Sequence, residues 1–166
     1  MISTHAVSFD LPVALSRTES VAFVRDVEHS LAYADFLSDL HVGPGGVVRA
    51  ELPVNASLFG QRRLRFESRL EPTVHGARLV GLPLDERPGW ARVSGEAEVM
   101  PHPDGSLLRY RFEIEIHLAV PEPERWGGRA LVKMIRLTAE QVLARVSARF
   151  PGAVQRAARA REATFV

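Results

Sequence analysis

Residues 107–118, LLRYRFEIEIHL, alternate strictly. Leu108, Tyr110, Phe112, Ile114, Ile116 and Leu118 share one side of an extended chain, and Arg109, Arg111, Glu113, Glu115 and His117 share the other. Successive side chains of a strand point to opposite faces, so one face here is solvated and the other needs cover. The same alternation runs through Val7, Phe9, Leu11 and Val13, through Val48, Ala50, Leu52 and Val54, and through Leu64, Phe66, Ser68 and Leu70. It returns through Ala91, Val93, Gly95, Ala97 and Val99, and a shorter apolar segment occupies 77–84. Gly60, the stretch 73–76, DERPG at 85–89 and PHPDG at 101–105 supply turn chemistry between these strands.

Elsewhere the period lengthens. Ser16 precedes Glu19 by three positions, the spacing of a capping box, so a helix is expected to start there. Val21, Val24, Val27 and Leu31 give it an apolar stripe with Phe23 beside it, and a second short turn is expected through 32–40. HVGPGG at 41–46 breaks the chain before the strands begin. VPEPERWGG at 120–128 closes the strand region. From Gly128, Leu131, Met134 or Ile135, Thr138, Val142 and Val146 recur at helical spacing for about 22 residues. Pro151 and Gly152 are expected to end that helix.

The order is therefore strand, one or two short helices, about five or six meandering strands, and one long helix. An antiparallel sheet with one wet face must bury the other, and the long helix is the only element large enough to cover it. The pattern predicts a single α+β domain at 1–154, a curved antiparallel sheet of six or seven strands wrapped on the C-terminal helix, followed by a basic tail at 155–166. Its 166 residues suffice for one substantial core.

Composition excludes more than it selects. With no cysteine, disulfides and thiolate metal sites are ruled out. No apolar run approaches the roughly 18 residues of a membrane-spanning helix, and the first 13 residues lack the pattern of a signal peptide, so a cytoplasmic protein is expected. The cations are 20 arginines and the single Lys133, which reads as coding bias. Charge is uneven: residues 1–60 carry net −4, residues 61–124 net −2 and residues 125–166 net +7.

This order of elements resembles the START/Bet v 1-like (SRPBCC) superfamily, the helix-grip domains grouped with polyketide cyclases and coenzyme Q-binding proteins. HAVSFDLPV, SRTESVAFVRDVEHSLAYADFL, the strands from Val47 to Val120, and RWGGRALVKMIRLTAEQVLARVSARFP carry the resemblance over nearly the whole chain. Within the superfamily the chain is similar to small bacterial single-domain members, including the carbon monoxide dehydrogenase G-subunit-like proteins and families of unassigned function. The resemblance implies a hollow between sheet and long helix that takes an apolar or amphipathic small molecule. The superfamily includes carriers, receptors and cyclases, so fold alone does not select an activity.

The residues speak to that hollow independently. Three of the five side chains on the Ala91–Val99 face are glycine or alanine, so the sheet is thin there. Either a bulky residue such as Met134 or Leu137 fills the space, or it is a pocket. By alternation the candidate ligand-binding residues are Phe66, Ser68, Val93, Gly95, Ala97, Tyr110, Phe112, Ile114, Met134, Ile135 and Thr138. Tyr110, Ser68 and Thr138 are the polar members; Tyr110 and Ser68 either orient a ligand oxygen or reach the rim and the backbone.

Other chemistry finds little support. The six histidines show no metal-ligand spacing, no nucleophile elbow is present, and GPGG lacks the lysine of a phosphate loop. Glu113 and Glu115 are expected to pair with arginines across strands. The arginine-rich tail offers peripheral membrane contact, while its lack of aromatic interleaving argues against nucleic-acid binding. The expectation is a carrier, sensor or accessory protein for a small apolar or amphipathic molecule, with no cofactor, no metal and a homodimer left open. The alternatives are a cyclase- or hydratase-like enzyme in the same hollow, with Tyr110 the only credible catalytic residue, and an interaction module with a filled core.

Overall fold

The computed structural model describes residues 1–56, 60–87, 89–119 and 127–164. One antiparallel sheet of seven strands, in the order β1-β7-β6-β5-β4-β3-β2, curves around a long helix. Its strands are β1 (Ile2–Val13), β2 (Ser38–Val42), β3 (Val47–Ala56), β4 (Gly60–Thr73), β5 (Gly76–Leu82), β6 (Gly89–His102) and β7 (Gly105–Leu118). Two short helices, α1 (Arg17–Arg25) and α2 (Val27–Ser30), follow β1, and α3 (Gly128–Thr164) closes the chain. This is the α+β helix-grip arrangement expected from the pattern.

Register turns alternation into a core. Opposite Phe9 lies Tyr110, opposite Leu11 lies Leu108, opposite Gly95 lies Phe112, and opposite Val93 lies Ile114, so the apolar sides of β1, β6 and β7 share the concave face. On the convex face the register sets Arg92 against Glu115, Glu96 against Arg111 and Glu98 against Arg109, opposite charges on adjacent strands, but Glu113 faces Ser94 and Glu115 contacts His117 at 3.1 Å instead of an arginine. Asp10 of β1 adds an ion pair to Arg109 at 3.0 Å, and that guanidinium holds its carboxyl below the usual value.

The capping box forms as expected. Ser16 Oγ accepts from the Glu19 amide at 3.2 Å, and the Glu19 carboxylate accepts from the Ser16 amide at 3.0 Å. Asp26 ends α1 and caps α2, splitting the stripe the sequence reads as one helix.

Three expectations need correction. Residues 38–42 form edge strand β2, not a turn and breaker; Asp39 sits at φ 52° where the register with β3 shifts. Such an irregularity at an edge is too short to show as alternation, and it hinders pairing with other chains. Second, α3 does not stop at Pro151. It continues to Thr164, because Ala153, Val154, Ala157 and Ala158 bury a face that outweighs the backbone bond proline forfeits. Third, the buried stripe of α3 starts at Ala139, well after Gly128; Leu131, Met134, Ile135 and Thr138 are not buried. VPEPERW at 120–126 and the last two tail residues lie outside the described residues.

Candidate functional site

The concave face holds a small hollow. Its floor is Leu70, Ala77, Leu79, Gly95, Ala97, Tyr110 and Phe112 on β4 to β7; its roof is Val24, Val27, Ser30 and Leu31 of α1, α2 and the turn after them; Phe150 of α3 closes one side. Its volume is about 30 Å³, room for about two water molecules. The thin sheet at Gly95 and Ala97 is therefore mostly filled. The filler is not Met134 or Leu137 but an aromatic cluster centred on Phe150, whose ring lies 5.3 Å from Phe9, 5.8 Å from Phe36, 5.9 Å from Tyr110 and 5.1 Å from Phe112. Phe112 lies over Gly95, close enough that a Cβ there would collide with its ring.

Tyr110 is the polar group of this cluster. It stacks on Phe9 at 5.0 Å and is only 5% exposed. Burial alone pushes its hydroxyl well above the ordinary value of 10.0, with no hydrogen bond from a described residue acting the other way. A phenol keeps its proton at neutral pH in any case, and burial only reinforces that. It is a donor in apolar surroundings.

Ser68 has a different task. β5 pairs with β6 only from Gly76↔Glu98 to Leu79↔Gly95, and past that point side chains bridge the seam. Ser68 Oγ, fully buried, donates to the Val93 carbonyl at 2.6 Å; the Gly81 amide donates to Ser94 Oγ at 3.0 Å; Arg92 Nε donates to the Gly81 carbonyl at 3.4 Å. A hydroxyl with its proton committed to a carbonyl holds the sheet together. Ser68→Ala would strip a buried carbonyl of its partner, and urea unfolding is expected to show a loss of about 1–3 kcal/mol.

Of the eleven residues named from alternation, Gly95, Ala97, Tyr110 and Phe112 line the hollow. Phe66, Ser68, Val93 and Ile114 are buried on the same concave face beyond it. Ile135 and Thr138 are half-buried, and the Thr138 hydroxyl donates within its own helix to the Met134 carbonyl at 3.0 Å. Met134, 38% exposed, is not brought to the hollow at all. Sequence reasoning missed the roof and Phe150. The signal was there: Val24, Val27 and Leu31 form the apolar stripe of the first helices, and Phe150 is the next position of the stripe 142, 146.

Four arginines from the middle of α3 onward are occupied. Arg149 pairs with Asp35 at 2.9 Å, Arg161 lies 3.7 Å from Asp26, Arg156 sits 5.0 Å over the Tyr33 ring, and Arg145 donates to the Pro53 carbonyl at 2.9 Å. They fasten the end of α3 to the body. Two histidines also have more specific surroundings than solvent. His5 Nε2 meets Ser147 Oγ at 2.7 Å, joining β1 to α3, and His117 stacks on Trp90 at 3.9 Å on the convex face. No helix among the described residues is long and apolar enough to cross a membrane.

Solved structures share this fold at low identity. A conserved protein from Geobacillus kaustophilus superposes with TM-score 0.53 at 14% identity, covering 95% of this chain and 96% of that one. A START superfamily protein from Mycobacterium smegmatis gives TM-score 0.50 at 17%, covering 92% and 98%, and the Zhui aromatase/cyclase from Streptomyces gives 0.51 at 12%, covering 93% and 95%. These likenesses establish a START/Bet v 1-like fold. No curated protein sequence matches the chain. The model of one family, described as a protein of unknown function (DUF3809), matches residues 8–148, most of the length described above. The chain therefore belongs to the DUF3809 family and carries it on a START/Bet v 1-like domain.

Proposed function

We propose that this protein binds a small apolar or amphipathic molecule in the hollow between the sheet and the short helices α1 and α2, beside Phe150 of α3, as a carrier, sensor or accessory protein. The observation that carries the reading is the placement of Tyr110, a buried tyrosine among aromatic and aliphatic side chains that lines the hollow. Ligand pockets pair apolar walls with a few directed polar groups, and Tyr110 suits a ligand's carbonyl or ether oxygen. At about 30 Å³ the hollow admits no such ligand without movement. Binding requires the Phe150 and Phe112 rings to turn aside.

Native mass spectrometry of gently purified protein, followed by identification of released small molecules, tests the reading. A stoichiometric apolar adduct is expected, with Tyr110→Phe binding it roughly 3- to 10-fold more weakly through loss of one hydrogen bond. A clean apo mass that stays clean after incubation with apolar carbonyl compounds would overturn it. The Tyr110 hydroxyl favours one second reading, a cyclase-like enzyme in which it holds a substrate carbonyl oxygen by a hydrogen bond and keeps its own proton. In that case Tyr110→Phe abolishes turnover of the bound compound rather than only weakening its retention.

A further inference from the structure

The first three turns of α3 are apolar on the wrong side. Stepping about 100° per residue, the buried stripe of Ala139, Val142, Val146 and Phe150 fixes which way the helix faces the sheet. Met134 and Leu137 fall near the opposite pole and are 38% and 48% exposed. Further along, that outward pole carries Gln141, Ala144, Ala148, Gln155 and Arg159, the small and polar residues usual on a solvated face. Large apolar side chains occupy it only at the start.

Beside them runs a row of cations. Arg129, Lys133 and Arg136, spaced by four and three residues, share one exposed strip of the helix, which Glu140 ends one turn after Arg136. No ion pair within hydrogen-bonding reach joins these cations to a described residue, and the first turn of α3 holds no acidic residue. Like charges at this spacing repel, and Arg129 in the first turn opposes the helix dipole. Glu140 offsets only part of that repulsion, so the strip keeps an excess of positive charge that an anionic surface would stabilise.

We propose that this strip of α3 docks on an anionic lipid bilayer, with Met134 and Leu137 entering the acyl boundary while Arg129, Lys133 and Arg136 reach the headgroups. A helix with apolar side chains flanked by long cationic ones lies flat in such an interface. A second copy of the chain fits less well. Two-fold pairing of antiparallel helices through Met134 and Leu137 would bring the two strips alongside each other, each with three cations to the one carboxylate of Glu140. The inference goes beyond ligand binding and does not depend on it.

Flotation with phosphatidylcholine vesicles, with and without phosphatidylglycerol, decides the matter. Wild-type protein is expected to float with the anionic vesicles only, and less so as salt is raised. Exchanging Met134 and Leu137 together for Glu is expected to lower vesicle binding at least tenfold, and exchanging Arg129, Lys133 and Arg136 for Gln by about a hundredfold. Because these side chains project from the outward face, circular dichroism should show both variants folded. Wild type that fails to float, or a Met134→Glu/Leu137→Glu protein that floats as well as wild type, overturns the proposal. So does a lipid-free dimer that the same variant abolishes, which would assign the face to a second copy. Uptake of the probe N-phenyl-1-naphthylamine separates the two readings: the Met134→Glu/Leu137→Glu protein should retain it, and wild type that floats yet takes up no probe would count against ligand binding alone.

Discussion

Phe150→Ala is expected to lower the unfolding free energy by about 3–5 kcal/mol, the cost of removing a large buried aromatic from a packed core. The ring touches Phe9, Phe36, Tyr110 and Phe112, so it ties α3, β1, β7 and the segment after α2 into one cluster. Truncation leaves four rings short of a neighbour, and their partial collapse decides where in that range the value falls. The same change enlarges the hollow beneath Val24 and Val27. Equilibrium unfolding in urea measures the first effect, and probe fluorescence on the folded fraction measures the second. Stability lost with no gain in probe uptake would mean that the cluster closes over the space, and that Phe150 guards no pocket.

Gly95→Phe is expected to prevent folding, at a cost on the order of 4 kcal/mol or more, because two independent clashes coincide. A Cβ at this position would lie 2.6 Å from the Arg111 carbonyl oxygen, which belongs to the backbone of the neighbouring strand and cannot turn away. It would also run into the Phe112 ring, the side chain that fills the space glycine leaves. A soluble, cooperatively unfolding Gly95→Phe protein would show that β6 and β7 separate readily at this point. Since the glycine supports the sheet itself, a loss of ligand uptake in that variant says nothing about pocket lining. Phe150 is the better lever on the hollow.

The faces of the strands were legible because alternation is a local property: a residue's side of the sheet follows from its parity, whatever lies opposite. Phe66, Val93, Tyr110 and Ile114 were placed on the concave face by that rule, and they are buried there. The capping box at Ser16 and Glu19 was legible for the same reason, being satisfied within one turn. Met134 reads as a core residue because positions four apart share a side only approximately: each step of four drifts about 40°, and two such steps back from Val142 carry Met134 to the outward side of α3, where it is exposed. The other failures depend on distant partners. Proline reads as a stop at Pro151 because the sequence around it does not announce the burial of Val154 and Ala158. Ser68 kept two readings open until the shortness of the β5–β6 ladder revealed a carbonyl in need of a donor.

The pairing of β1 with β7 sets the order in which the chain can assemble. Ile2 faces His117 and Val13 faces Ser106, so β1 finds its only sheet neighbour more than a hundred positions later at its outer end. Contacts so distant in sequence are slow to form, since most of the chain must be closed into a loop first. During synthesis at about 5–20 residues per second, β1 waits some seconds with Val7, Phe9, Leu11 and Val13 unpaired. For that interval the strand that later seals the core is a free edge, open to another nascent chain. The hairpin of β6 and β7 is then the template on which β1 is captured, and the faster that capture, the shorter the time the strand stands exposed.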